Sequence, residues 1–327
     1  MDKTINIAIA LNQRVIIQTY VMIHSLVVNN TAHPLCIYVL HSELTEDQCR
    51  LLEKAADCPN GHSEMRFIKI APDKTSGLPY NGWWSVEAYY RLMLPELLGN
   101  QIERILYLDI DVIVNKDISD FYFSDFEGNA LIATKDAEFE NAIALDEPQD
   151  RKRNAFFLNL KNQGMVYFCS GVLLMNLEVL KANYTFDKYL EIFDTIKDNV
   201  LLPDQDLLNY VHYKEVKLVD ENKYGLFTQT AHKNGMTYEE AKKNVSILHF
   251  TGKAKPWTVN LIRYDIEKIW WEYAKAAPFY YDLLEQVFFD MLESTFTERK
   301  FDELVAQNNE LRGMLQSCQN LIQKLQL

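Results

Sequence analysis

Long apolar runs, paired cysteines and an excess of positive charge are all missing from this chain of 327 residues. No stretch approaches the ~20 consecutive apolar residues that a membrane-spanning helix needs. The apolar run Ile5–Leu11 is too short for a signal-peptide core with its cleavage site. The five cysteines, Cys36, Cys49, Cys58, Cys169 and Cys318, are odd in number and form no Cys-x-x-Cys. Neither a disulfide framework nor a zinc knuckle is signalled, and a reduced, cytoplasmic setting fits best. Peripheral contact at the inner membrane face stays open. A formal net charge of −13 argues against a broad nucleic-acid-binding face, which needs a basic surface. Positive charge gathers only in small spots: Arg151-Lys152-Arg153, Lys242-Lys243 and Lys253/Lys255.

What is present is core material. Hydrophobic residues make up 48% and charged residues 24%, enough for one large catalytic domain and an appendage. Apolar, β-branched runs at Ile5–Leu11, Leu35–Leu40 and Met65–Ile70 read as buried strands. Apolar spacing at Ile16, Tyr20, Ile23 and Val27 predicts a helix over Ile16–Asn29. A Thr-x-x-Gln box at Thr45 and Gln48 opens a second over Thr45–Ala56. This alternation predicts an α/β fold on a doubly wound parallel sheet. Ser85–Leu98 and Pro203–Tyr213 read as helices. Ile105–Leu108, Gly171–Leu177 and Val245–Phe250 read as strands. The polar stretch 135–165 reads as an active-site lid or acceptor loop.

The end of the chain differs in composition. Residues 258–297 are rich in aromatics, among them Trp270, Trp271, Tyr273, Phe279, Tyr280, Tyr281, Phe288 and Phe289. They are expected to form helices packed on a catalytic domain spanning 1–257. A membrane-leaning surface is the second reading, weakened by the acidic residues mixed in. Over 298–327 a heptad pattern runs. Phe301, Asn308, Leu315 and Ile322 share one seam position; Leu304, Leu311, Cys318 and Leu325 share the other. An Asn in the first series fixes register in two-stranded coils. A homodimer through this C-terminal helix is therefore expected, against the alternative of a lone amphipathic helix on its own domain.

The chemistry concentrates in five segments. Arg104–Val114 carries Asp109 and Asp111 after an apolar run, so two carboxylates are expected on one side of a strand end. Open α/β sheets bind ligands beyond such ends. Paired oxygen ligands there suit a divalent metal holding a diphosphate. An EF-hand reading fails, since the sixth position is Val114, not Gly. The other segments are Tyr89-Tyr90-Arg91-Leu92, Phe168-Cys169-Ser170-Gly171-Val172-Leu173-Leu174-Met175-Asn176, Pro203-Asp204-Gln205-Asp206-Leu207-Leu208-Asn209, and Leu248-His249-Phe250-Thr251-Gly252-Lys253-Ala254-Lys255-Pro256-Trp257. Taken singly, each has an ordinary reading: acids in a turn, an N-cap Asp204, a core His249, surface lysines.

Their order and spacing together resemble glycosyltransferase family 8, the retaining nucleotide-sugar transferases, over roughly residues 5–257. The resemblance implies a GT-A fold with a mixed central sheet, followed here by a C-terminal helical extension. It implies Mn²⁺, with Mg²⁺ as the substitute, held by Asp109, Asp111 and His249; a nitrogen ligand beside two carboxylates favours Mn²⁺. It implies a UDP-sugar donor. Ile110 and Ser170 count among the donor-binding residues. Arg91 would contact the sugar or phosphate, and Asp204 the sugar hydroxyls. Gly252 would allow close backbone approach to the phosphates and Lys255 would add charge. Gln205 would lie under the anomeric carbon, with Asp204 the fallback nucleophile.

Two positions depart from the family pattern. The first-strand turn is Ala10-Leu11-Asn12-Gln13-Arg14, where Asn12 would read the base. Cys169 stands where Asn is frequent. The expected activity is a retaining hexosyltransferase moving galactose or glucose to a glycan, lipid-linked or protein acceptor. The contrasting readings are a nucleotidyltransferase, a metal-free glycoside hydrolase, and a non-catalytic nucleotide-sugar-binding or dimerising scaffold subunit of a glycosylation complex.

Overall fold

The computed structural model describes residues 4–59, 61–79, 85–136, 138–139, 151–252, 255–259 and 265–325. Two compact units emerge. One comprises Met1–Lys253 with Tyr264–Ala277, the other Ala254–Arg263 with Pro278–Leu327.

The first unit is an α/β fold around a seven-stranded sheet. Its strands are β1 (Ile5–Ala10), β2 (Leu35–His41), β3 (Ser63–Lys69), β4 (Arg104–Leu108), β6 (Leu131–Lys135), β7 (Phe168–Asn176) and β8 (Val216–Val219). Their order is β3-β2-β1-β4-β7-β6-β8. Every residue of β2 is buried, as expected of a strand with both faces covered. The sheet is mixed, not wholly parallel: β7 runs antiparallel to both β4 and β6. That reversal matters for the site. It pairs Leu108 with Val172 and Lys135 with Phe168, so the start of β7 lies beside the carboxyl ends of β4 and β6.

A second, three-stranded sheet joins β5 (Val112–Val114), β10 (Ile247–His249) and β9 (Leu226–Phe227). The helix Ile16–Asn29 holds it in place. Ser25 Oγ accepts the Val114 N–H at 3.1 Å, and Asn29 Nδ2 donates to the Val114 carbonyl at 3.0 Å. Tyr90, Tyr107, Phe168, Leu173, Tyr189 and Leu207 pack together in the main core. Each such burial contributes on the order of 2 kcal/mol.

Three local expectations are corrected. Asp109 and Asp111 do not share a strand: β4 ends at Leu108, and residues 109–111 turn into β5, which belongs to the other sheet. Ser85–Leu98 is not one α-helix. Val86–Met93 is a 3-10 run, followed by a short α-turn at Leu94–Leu98. Pro95 has no N–H to offer the Arg91 carbonyl, which takes the Leu94 N–H instead and tightens the turn. The stretch 135–165 is not all loop, because Arg151–Lys161 is helical; residues 140–150 lie outside the described residues.

The aromatic segment divides between the units. Trp270, on the helix Lys268–Ala274, is fully buried in the first. The second contains the helices Tyr280–Leu292 and Ser294–Leu325, where Tyr281, Phe288, Phe289, Phe301, Leu304, Leu311, Leu315 and Ile322 are exposed. Among the described residues no helix is long and apolar enough to cross a membrane.

Candidate active site

The site forms where the strand order reverses around β1 and β4, the place where α/β sheets open a crevice. Asp109 leaves β4 with its N–H donated to the Gly171 carbonyl at 2.8 Å. The turn carries Asp111 round to β5. There the antiparallel pairing sets Val112 opposite His249, and the Phe250 N–H donates to the Asp111 carbonyl at 2.9 Å. His249 Nε2 thereby lies 3.1 Å from Asp111 Oδ1 and 3.9 Å from Asp109 Oδ2. One ligand atom from each residue falls within 4.8 Å of the others.

The donor set fits a divalent cation. Two carboxylates and an imidazole draw a positive charge into one spot. Burial pulls the His249 pKa down, but Asp111 and Cys169 together outweigh it and hold the ring well above its usual value. The spot is also open to ligand. Asp109 and Asp111 keep 28% and 17% side-chain exposure, against 5% for His249. Gly171 makes the room. A Cβ there would fall 2.4 Å from His249 Cε1 and 2.5 Å from Asp109 Oδ2, so only glycine lets the ligands converge.

Arg91 backs the acidic pair. Its Nη2 donates to Asp109 Oδ1 at 2.8 Å, Nη1 to the Ser170 carbonyl at 2.6 Å, and Nε to the Ala88 carbonyl at 2.9 Å. The guanidinium lies 4.1 Å over the Tyr107 ring and is 3.4 Å from Asp204 Oδ2. All three nitrogens are thus spent on fixing Asp109, Ser170 and the turn. Asp204 is buried beside it. Burial raises its pKa while Arg91 pulls it back.

Gln205 is held at both ends of its amide. Oε1 accepts the Ser170 N–H at 3.0 Å, and Nε2 donates to Asp136 Oδ2 at 2.9 Å. Asp136 is anchored in turn by the N–H groups of Glu138 and Phe139. One polar chain therefore runs Asp136–Gln205–Ser170–Asp204–Arg91–Asp109. Behind it Arg153 grips Asp206 with Nε 2.8 Å from Oδ2 and Nη2 2.7 Å from Oδ1; Tyr167 donates to Oδ1 at 2.5 Å. The N–H groups of Leu201 and Leu202 also donate to this carboxylate. It thereby fixes the start of the helix Pro203–His212 that carries Asp204 and Gln205.

The remaining sequence candidates divide. Ile110 is half-buried in the turn between the two acids. Asn12 Oδ1 accepts the Arg14 N–H at 3.0 Å, and its Nδ2 donates to Glu87 Oε2 at 3.1 Å. Arg14 is itself exposed. Gly252 follows His249 closely and has φ +75°, a conformation glycine adopts freely. Lys255 belongs to the other unit, where its N–H donates to Thr258 Oγ1; Lys253 lies outside the described residues.

Sequence reasoning missed Asp136, Tyr167 and Arg153, and gave no role to Gly171 or Asp206 although both stand in the segments it singled out. Arg153 was visible only as part of a basic triplet. Nothing in that triplet shows that Arg153 is buried while its two neighbours are exposed.

A family model described as glycosyl transferase family 8 matches residues 6–260. A lipopolysaccharide 1,2-glucosyltransferase of Escherichia coli K12 is 29% identical over 262 residues, 78% of this chain and 73% of that protein. A lipopolysaccharide 1,3-galactosyltransferase of Salmonella typhimurium is 22% identical over 77% of this chain and 72% of its own. Among solved structures, the galactosyltransferase LgtC in complex with donor and acceptor sugar analogues superposes with a TM-score of 0.68 at 24% identity. It covers 84% of this chain and 96% of that one.

Proposed function

Because the chain belongs to glycosyl transferase family 8, we propose that it is a retaining hexosyltransferase. It would move galactose or glucose from a UDP-sugar to a glycan, lipid-linked or protein acceptor, using a divalent cation, Mn²⁺ ahead of Mg²⁺. The observation that carries this reading is the convergence of Asp109, Asp111 and His249 on the space that Gly171 leaves open. Relatives named for glucosyl and galactosyl transfer support a hexose.

Asp109, Asp111 and His249 would hold the cation, which would offset negative charge on the diphosphate as its bond to the sugar breaks. Arg91 keeps Asp109 aimed and Tyr107 supports Arg91. Asp204 and Ser170 would bind sugar hydroxyls, and Asn12 the uracil. Gly252 would let the backbone approach the phosphates. Gln205 cannot serve well as a nucleophile, because an amide is poorly nucleophilic and both its ends are engaged. We favour front-face substitution, with Asp204 the fallback nucleophile. The anomeric C–O bond breaks with its electron pair going to the diphosphate oxygen. The acceptor hydroxyl bonds to the same face, and its proton passes to that diphosphate oxygen. Gln205 would stabilise the developing positive charge through its carbonyl dipole. A second copy would pair along the exposed seam of Ser294–Leu325, and a lipid-linked acceptor would bring the enzyme to the inner membrane face.

The test is release of nucleoside diphosphate from a panel of sugar nucleotides with Mn²⁺, Mg²⁺ or EDTA, for the intact protein and Asp111→Ala. Mn²⁺-dependent release from one donor, lost in a folded Asp111→Ala, is the expected outcome. Release of pyrophosphate instead would mark nucleotidyl transfer. Release that survives both EDTA and Asp111→Ala would remove the cation from the reaction.

A further inference from the structure

We propose that Cys169 is a positioning residue for the cation site, fixing the ring orientation and tautomer of His249. The inference rests on the cation reading above. Cys169 is the second residue of β7, fully inside the unit. Its Sγ lies 3.6 Å from His249 Nδ1, the nitrogen opposite the one that faces the carboxylates, and it accepts the Gly171 N–H at 3.4 Å. The imidazole is boxed on every side. Asp111 and Asp109 stand at Nε2, the Gly171 backbone faces Cε1 so closely that an added Cβ would collide with it, and Phe227 packs at 84° with ring centroids 5.5 Å apart.

A histidine that binds a cation through Nε2 must be neutral, with its proton on Nδ1. That N–H needs an acceptor in a site 4% exposed, and the partner the structure gives it is the Cys169 sulfur. Ligand histidines ordinarily give this proton to a carboxylate, a carbonyl or water, and loss of that partner costs about 10- to 100-fold in metal affinity. Here the acceptor is a soft sulfur held by the backbone of the same Gly171 that admits the ligands. One short segment, Cys169–Gly171, thus sets both the room for the cation and the direction of its nitrogen ligand. This gives the departure at position 169 a physical purpose: the side chain is spent on His249, and a sugar contact there is forgone.

The test measures binding, not turnover. Co²⁺ absorption and Mn²⁺ calorimetry, without acceptor, compare the intact protein with Cys169→Ala, Cys169→Ser and Asp111→Ala. Thermal melting in EDTA confirms that each variant is folded. The expected result is a Kd raised about tenfold or more in Cys169→Ala with a changed Co²⁺ spectrum, and partial recovery in Cys169→Ser, whose hydroxyl still accepts. Unchanged affinity and spectrum in a folded Cys169→Ala, with binding lost in Asp111→Ala, would overturn this inference alone. Unchanged binding in Asp111→Ala would overturn the cation site and this inference with it.

Discussion

Gly171→Ala is the sharpest perturbation the geometry offers, since it adds one methyl group and no charge. The new carbon would fall 2.4 Å from His249 Cε1, 2.5 Å from Asp109 Oδ2 and 3.1 Å from Asp109 Cγ. Ordinary contacts begin about 1 Å further out, so both ligands would have to retreat by that amount. Neither is the loose end of a flexible chain. Asp109 is tied to Arg91 at 2.8 Å, and His249 is walled in by Cys169 and Phe227. Overpacking of this kind costs about 1–3 kcal/mol.

Whatever part of that strain the metal-free ligands shed by shifting must be restored when the cation binds. The strain then appears as lost affinity, roughly 5- to 150-fold for those energies. Calorimetric titration with Mn²⁺ reads the affinity directly. A melting series adds a second readout. The intact protein at one hundred times its Kd should gain about 2.7 kcal/mol from Mn²⁺, and the variant at the same concentration only about 0.3 to 1.8 kcal/mol. If Gly171→Ala binds Mn²⁺ as tightly as the intact protein and releases nucleoside diphosphate at the same rate, the argument that this glycine admits the ligands is wrong.

Arg153→Met would leave Asp206 charged and buried with only Tyr167 and two backbone N–H groups, at a cost of about 3–5 kcal/mol; the double variant with Asp206→Leu should be less destabilised, and equal losses in denaturant melts would refute the pairing argument. His212 is fully buried, and burial holds its pKa down to about 4, with Glu215 opposing. The unfolded chain therefore binds the extra proton first. Stability present above pH 6.5 should fall by about 3 kcal/mol on acidification to pH 4. His212→Gln should flatten that part of the curve, and parallel curves for the two proteins would refute it. Deleting 298–327 should reduce the assembly to a smaller species by light scattering, since it removes the exposed seam of Phe301, Leu304, Leu311, Leu315 and Ile322; an unchanged mass would remove the pairing proposal.

Much of the sheet was legible because buried strands leave unbroken apolar runs. Helix starts were legible where side chains announce them, as in the Thr45–Gln48 capping box, formed in both directions. Of the second sheet only the central strand was legible, within Val245–Phe250; the sheet's strands are three, three and two residues long, too short for any periodicity. The helix Arg151–Lys161 was hidden for another reason. Its buried face is Arg153, Asn154, Phe157 and Leu160, half of it polar. Arg153 belongs inside only because Asp206, 53 residues on, meets it there. Asp109 and Asp111 were read correctly as a pair but for the wrong geometry. A strand would have aligned them by alternation; the turn between two sheets does it instead, and that turn is what lets His249 approach from β10.

The charge balance explains why the site is built inward. A chain of net charge −13 has no long-range attraction to offer an anionic nucleotide, and screening erases surface fields beyond about 8 Å at physiological salt. Recognition must therefore come from a few groups in contact. The fold spends its buried cations on its own acids: Arg91 on Asp109 and Asp204, Arg153 on Asp206. Those pairs hold carboxylates rigid in a place where they would otherwise repel one another. On the proposed function, the positive charge that meets the diphosphate would come mainly from the cation, drawn in by acids already fixed in position. Rigidity around Asp109 would in this way serve affinity for the proposed donor, since every side chain between Asp136 and Asp109 holds its neighbour in place.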